Sequence, residues 1–227
     1  MKIMILANGQ PPSPEVAHKY ALLHDKVIVT DGAADAAILP GLSIDMISGD
    51  FDSVENLDSI REAFPNAEIV RTPDQDYGDL EKAILLAIKQ GATRITIAGA
   101  GNRLSGKGGG RVDHMLANYA LLLRYHNSVS SLKIIDDWSE LRAVSGTKEM
   151  PGELTINTKS GDRISLISFI NGTQVTITGV KWPLDNFLLP IGARAISNEA
   201  QSNQVYINVQ EGMLFVCHLP VYLPQPG

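Results

Sequence analysis

Near residue 137 the apolar pattern of this chain changes its period, and that switch restricts the fold more than any other feature. Before it, short aliphatic runs alternate with helical spacing. KIMILA (2–7) predicts a strand, and a helix follows from Ser13-Pro14-Glu15, where serine suits the cap and proline the first turn. Strands are expected at 26–30, ending at Asp31-Gly32, and at 45–48, ahead of Gly49-Asp50-Phe51-Asp52-Ser53 and a helix to Phe64. A further strand spans 68–71. From Asp79, the residues Leu80, Ala83, Ile84, Ala87 and Ile88 recur at helical spacing, with Gly91 placed to cap the end. Residues 95–98 and 132–135 predict strands on either side of a helix at 114–125. Such alternation gives an α/β unit, a mostly parallel sheet flanked by helices on both faces. After 138 helical spacing vanishes. ELRAVSG, ELTINT, DRISLISF, TQVTITG, QVYINV and MLFVCHL are short β-branched runs between Gly, Asn, Asp and Pro, the pattern of an all-β sandwich or barrel. The expected organisation is an α/β domain over 1–137 and a C-terminal all-β sandwich domain over 138–227.

Composition excludes several classes. With 44% apolar and 19% charged residues in 227, the chain is too apolar to stay disordered, and its lone Cys217 cannot build a disulfide framework or a cysteine zinc site. A reducing compartment suits it. Against 25 Asp and Glu stand 19 Lys and Arg, a net charge of −6, so no overall cationic field exists to attract nucleic acid or an anionic membrane. Any phosphate has to be held locally. The opening apolar run is too short for a secretory signal, and no stretch approaches the ~18 apolar residues of a membrane span. A cytoplasmic protein is expected.

Carboxylates collect where an open parallel sheet binds its ligands, beyond the carboxyl ends of the strands. Asp31 follows one predicted strand, Asp50 and Asp52 the next, and Asp74, Asp76 and Asp79 the strand at 68–71. Any one aspartate is a good turn former. Together, the GDFDS and DQDYGD clusters would repel unless a cation lay among them, and hard oxygen donors without His or Cys point to Mg²⁺ completed by phosphate oxygens and water. GAGNRLSGKGGGRVDH (99–114) adds glycines that let backbone amides approach an anion, with Arg103, Lys107 and Arg111 as local positive charge. Gly101 to Lys107 fits GxxxxGK, but Gly108 stands where Ser or Thr should ligate magnesium and the helix starts several residues too late for a P-loop. A ligand-free loop is the alternative for this run.

ISGDFDS (47–53), TPDQDYGDLEKAI (72–84), GGRVDH (109–114) and GVKWPLDNFLLPIGARAISNEA (179–200), in that order and spacing, resemble the thiamine pyrophosphokinase family over nearly the whole chain. The resemblance implies an enzyme that moves a pyrophosphoryl group from ATP to the hydroxyethyl oxygen of thiamine, giving thiamine diphosphate and AMP. It also implies a homodimer, each active site lying between one subunit's α/β domain and the other's β domain. By the same resemblance Asp50, Asp52 and Asp79 hold Mg²⁺ with the ATP phosphates, and Gln75 and Asp76 shape that loop. Asp31, Gly32, Gln75, Lys82, Arg103 and Gly110 belong to the ATP site, and Arg111 and Asp113 stand close to the reacting groups. Trp182, Ser197 and Asn198 contact thiamine. These roles agree with elementary chemistry, because phosphoryl-type transfer depends on positioning and charge neutralisation. An indole can also stack on a cationic thiazolium or a flat aminopyrimidine. Asp113 is a proton acceptor for the alcohol or a partner for the thiamine cation.

Two positions depart from the family pattern. DQDxTDL has Gly78 in place of threonine, which leaves Asp79 to cap its own helix, and DGGAN appears as residues 31–35 with Ala33 for the second glycine. His114, beside Asp113, is either a general base or a hydrogen-bonded support. His18, His24, His126 and His218 show no metal spacing, Trp138 reads as structural, and Asn171-Gly172-Thr173 predicts a hairpin turn. Two other readings stay open: a different small-molecule kinase of similar fold that releases ADP, and a nucleotide- or thiamine-binding module without turnover.

Overall fold

A computed structural model describes residues 1–34, 42–51, 54–101 and 111–221, and the chain divides into two compact units, Met1–Asp137 and Trp138–Gly227. Among the described residues of the first unit are strands β1 (Lys2–Leu6), β2 (Lys26–Thr30), β3 (Met46–Gly49), β4 (Glu68–Arg71), β5 (Arg94–Ala98) and β6 (Ser131–Ile135). Its helices are α1 (Pro14–Ala21), α2 (Val54–Ala63), α3 (Asp79–Lys89) and α4 (Val112–Tyr125). The strands run parallel in the order β6-β5-β1-β2-β3-β4. They are apolar almost throughout because both faces are covered. Met4, Leu6, Val27 and Val29 pack with Val16 of α1 and with Leu57 and Ile60 of α2. The alternate residues Ile3, Ile5 and Ile28 point to the other face and are fully buried, and α3 packs along β1, β2 and β3.

The caps follow from the sequence. The Ser13 hydroxyl accepts from the Val16 N–H at 3.4 Å, with Pro14 opening α1. At the other end of α3, Gly91 takes φ +82 and donates to the Ile88 carbonyl, while Ala92 donates to that of Ala87. That pair of bonds is the Schellman closure, which requires a left-handed residue at Gly91. The strand order reverses between β1 and β5, and the crevice outside the carboxyl ends at such a reversal is the place where doubly wound sheets bind ligands.

The second unit is antiparallel: β7 (Glu140–Gly146), β8 (Gly152–Asn157), β9 (Arg163–Ser168), β10 (Thr173–Thr178), β11 (Leu184–Leu189), β12 (Gly192–Glu199) and β13 (Gln204–Leu219). QVYINV and MLFVCHL, expected as separate strands, are the two halves of β13. The first half pairs with β8 and β10, the second with β7 and β9, so one strand serves both layers of the sandwich. The transition passes through Gly212 at φ +108, where a Cβ would stand 2.8 Å from the Thr173 hydroxyl, so both backbone conformation and space call for glycine. Val205, Ile207 and Val209 of one half and Leu214 and Val216 of the other join Ile164, Leu166, Val175 and Ile177 in a single core. The Asn171-Gly172 turn is present, with Gly172 at φ +81, but it is not a hairpin. Its flanking strands β9 and β10 pair with opposite halves of β13 and not with each other. Among the described residues no helix is long and apolar enough to cross a membrane.

Candidate active site

The crevice of the first unit is a cavity of about 660 Å³. Its floor is made of strand ends. Gly9, after β1, donates its N–H to the Gly99 carbonyl at 2.6 Å. A Cβ on Gly9 would fall 2.2 Å from the Gly101 carbonyl oxygen, so the loops after β1 and β5 can meet only through glycine. Ala7, Asn8, Gly9 and Gly101 line this side, and Thr30, at the end of β2, adds a hydroxyl that is buried and has no hydrogen-bond partner among the described residues.

Behind the acidic wall stands Asp31, which, like Gly32, does not itself line the cavity. Its carboxylate accepts from the N–H of Gly32 at 2.7 Å and of Phe51 at 3.4 Å, and Phe51 is held in the left-handed region at φ +53. Asp31 thereby fixes the turn that presents Asp50 to the cavity. Burial pushes the Asp31 carboxyl above its ordinary range and the charges of Asp79 and Asp50 push the same way, against the pull of the two N–H groups. The three carboxylates therefore share one negative field.

Among the described residues no three His, Cys, Asp or Glu side chains converge as a metal cage. Oxygen donors that face the cavity include Asp50, Asp79 and the unpartnered Thr30 hydroxyl, and His114 also lines it. That set fits a hard cation which takes one or two carboxylates and completes its shell with phosphate and water.

Gly78 occupies the N-cap of α3 without a side-chain cap, and Asp79 is the first helical residue. The expectation that Asp79 caps the helix is therefore corrected. Its carboxylate, in the first turn where negative charge is favourable, instead stands 3.6 Å from the ammonium of Lys82, which is itself buried. Glu81, also buried, accepts from the Tyr125 hydroxyl at 2.6 Å and pairs with Arg124 at 3.0 Å, tying α3 to α4 across the cavity. Burial and Glu81 push the Tyr125 phenol up to about 12. Gln75 lines the cavity, whereas Asp76 does not; the Asp76 N–H donates to the Asp74 carboxylate, an Asx turn that shapes the segment.

Arg111, the N-cap of α4, binds Asp113 through three contacts, Nε to Oδ1 at 2.9 Å and to Oδ2 at 3.2 Å and Nη2 to Oδ2 at 2.7 Å. Nη2 also lies 2.6 Å from His114 Nε2. The guanidinium holds the Asp113 carboxyl far below the usual range, which makes it a poor proton acceptor while the pair persists.

In the second unit, Trp182, Ser197 and Asn198 come together. The Trp182 ring is 56% exposed, with the Lys181 ammonium 4.9 Å from its centroid. Ser197 takes φ +57 and donates its N–H to the Ser165 hydroxyl at 3.0 Å. Asn198 is buried, its amide bonded to the backbone of Trp182. Asp52, Arg103 and Gly110, with the rest of the glycine run, lie outside the described residues. Sequence reasoning missed Gly9, Thr30, Glu81 and Tyr125. Gly9 and Thr30 were detectable, because each stands at the carboxyl end of a predicted strand.

The family model described as thiamin pyrophosphokinase, catalytic domain, matches residues 17–134, and that described as thiamin pyrophosphokinase, vitamin B1 binding domain, matches residues 153–214. The chain is similar to thiamin pyrophosphokinase 1 of Caenorhabditis elegans, 26% identical over 96% of this chain and 89% of the relative. It is likewise similar to thiamine pyrophosphokinase of Bacillus subtilis, 29% identical over 85% and 83%. The fold matches the crystal structure of the thiamine pyrophosphokinase from Bacillus subtilis with a TM-score of 0.78 at 25% identity, covering 97% of this chain and 100% of that one. It also matches that of the yeast enzyme with a TM-score of 0.69, covering 96% and 86%; at 14% identity this is a likeness of fold alone.

Proposed function

Because the chain belongs to the thiamin pyrophosphokinase family, we propose that the cavity of its first unit binds ATP with magnesium and that Trp182 of the second unit binds thiamine. The enzyme transfers the two terminal phosphoryl groups of ATP together. The thiamine hydroxyl oxygen bonds to the β-phosphorus, the bond between that phosphorus and the bridging oxygen to the α-phosphorus breaks, the hydroxyl proton passes to solvent water, and AMP leaves with the bridging oxygen. The observation that carries this reading is the convergence of Asp50, Gln75, Asp79, Lys82 and Arg111, drawn from three separate segments, on one cavity at the strand-order reversal. Its volume falls within the roughly 300–1,000 Å³ of small-molecule sites.

Asp50, Asp52 and Asp79 would hold Mg²⁺, which when bound neutralises phosphate charge. Lys82 and Arg111 supply positive charge from the protein, and Gly32, Arg103 and Gly110 complete the ATP site. Asp31 positions the Phe51 turn, and Asp76 shapes its loop. With its charge engaged by Arg111, Asp113 serves by orienting that guanidinium. The Trp182 indole stacks on the thiamine cation with Ser197 beside it.

The active site is completed by a second copy of the chain, a reading supported by the exposed apolar side chains of Trp182, Leu188, Ile191 and Ile196. Mixing Asp79→Asn with Trp182→Ala subunits tests it. Shared sites restore about a quarter of wild-type activity in a 1:1 mixture, and no recovery refutes them. The acidic, single-cysteine composition supports a cytoplasmic location.

Incubation of the purified chain with ATP, Mg²⁺ and thiamine, followed by chromatography of the nucleotides, tests the activity. AMP with thiamine diphosphate is expected. ADP with thiamine monophosphate, or unchanged ATP, contradicts the assignment.

A further inference from the structure

We propose that Asn198 is a positioning residue for Trp182: its side-chain amide binds the backbone N–H and C=O of Trp182, which the β ladder does not engage, and fixes the direction of the indole without itself touching substrate. The proposal rests on the reading that Trp182 stacks on thiamine.

Residues 179–181 run antiparallel to 199–201. Gln201 donates to the Gly179 carbonyl at 2.8 Å, Val180 bridges Ala200, and Lys181 donates to the Glu199 carbonyl at 2.8 Å. These bonds make 179/201 and 181/199 hydrogen-bonded pairs, so at Trp182, the next residue, the alternation of an antiparallel ladder turns the N–H and C=O away from this partner's backbone. Nearby, β12 shifts register against β9 between Ala195 and Asn198, and Ser197 in that bulge is turned to φ +57 with its N–H on Ser165.

Asn198 fills the gap. Its Oδ1 accepts from the Trp182 N–H at 3.1 Å and from the Glu199 N–H at 2.9 Å, and its Nδ2 donates to the Trp182 carbonyl at 2.7 Å. The amide orientation is dictated by chemistry: two N–H groups face one end and a carbonyl the other, and a flipped amide would set donor against donor. Three of the four hydrogen bonds that a carboxamide can make are thus spent on backbone, and the residue is 8% exposed. Little remains for a ligand.

Trp182 needs such an anchor. With 56% of its surface exposed, packing alone does not orient the ring. Pro183 restricts the backbone of Trp182 from the other side, since the residue before a proline is held extended. Asn198 and Pro183 together leave the indole its side-chain torsions only, so stacking a flat cation on it carries a smaller ordering cost.

The test uses the full chain in a Trp138→Phe background, where Trp182 is the remaining indole. Asn198→Ala is expected to raise KM for thiamine about three- to tenfold, the range for one loosened stacking contact, with KM for ATP unchanged. The fluorescence anisotropy of Trp182 should fall at the same time. Asn198→Asp keeps both accepting contacts but sets a buried carboxylate oxygen against the Trp182 carbonyl, so it should shift both readouts at least as far as Asn198→Ala; thermal melting confirms that each variant is folded. In a Trp182→Ala background, adding Asn198→Ala should leave the thiamine KM where Trp182→Ala alone puts it. A further rise in the double variant means that Asn198 touches thiamine directly and overturns the proposal, as does unchanged anisotropy in Asn198→Ala. If Trp182→Ala leaves the thiamine KM at its wild-type value, the stacking reading itself fails. The anisotropy still decides separately whether Asn198 holds the indole.

Discussion

Two glycines of the first unit, Gly49 beside Asp31 and Gly78 at the cavity, should respond in opposite ways to a side chain. A Cβ on Gly49, the last residue of β3, would lie 2.1 Å from the Asp31 carboxylate. The nearest atoms all belong to the Asp31 side chain, which yields only by leaving the N–H groups of Gly32 and Phe51. Hydrogen bonds to a charged group contribute about 1.5–3 kcal/mol each, and overpacking costs about 1–3 kcal/mol. Since Asp31 is only half-buried and the Phe51 bond is long, the lower part of each range applies. Gly49→Ala should then destabilise the first unit by about 4 kcal/mol, which for a domain of this size lowers its melting temperature by about 14 °C. Gly78 meets nothing within 4 Å of an added Cβ, and its backbone at φ −69 and ψ 158 suits any residue. Gly78→Thr places a hydroxyl at the N-cap of α3 and removes unfolded-state freedom, so it should stabilise by about 0.5–1 kcal/mol. Circular dichroism melting of both variants reads the contrast. Unchanged melting in Gly49→Ala, or an equal loss in Gly78→Thr, would refute the close packing of Gly49 against Asp31 and the open space at Gly78.

Asp79→Asn should reduce kcat/KM by about 10²-fold or more, as expected when charge that positions a transferring phosphate is removed. Its stability should drop by only about 1 kcal/mol, because the Lys82 pair is half exposed on the aspartate side; steady-state kinetics beside a melt measure both. Thr30→Val removes a buried hydroxyl with no partner among the described residues, so it should leave melting unchanged while raising KM for ATP. An unchanged KM would place that hydroxyl outside the nucleotide site. In the second unit, burial opposes the charge of Asp162, but the Lys159 N–H, His218 and the Val221 N–H outweigh it and hold the carboxyl below its ordinary value of 3.8. A depressed folded-state value gives stability that is present above the unfolded value and lost as pH falls through the folded one. Melting of this unit should therefore decline below about pH 4, and Asp162→Asn should be less stable at neutral pH with a flatter acid limb.

The first unit was largely legible because its strands are buried on both faces and bounded by strong punctuation such as Ser13-Pro14 and Gly91. Carboxyl-end aspartates stood out for the same reason: a strand end followed by Asp is a local signal. What sequence did not carry was any property that depends on two segments meeting. Glu81 falls on the helical stripe as an ordinary polar residue, and only the approach of Tyr125 and Arg124 explains its burial. The strands β11 and β12 escaped because Asp185-Asn186 and Arg194 interrupt their apolar alternation, and a register shift breaks the rest. The length of β13 was hidden at Gly212, where a residue that usually ends a strand bends one instead.

The central claim is attack at the β-phosphorus of ATP, and label partition measures it directly. Parallel reactions with thiamine, Mg²⁺ and ATP labelled with ³²P at either the α or the γ position should send all α label into AMP and all γ label into thiamine diphosphate. Label from the γ position in thiamine monophosphate, with α label in ADP, would contradict the account.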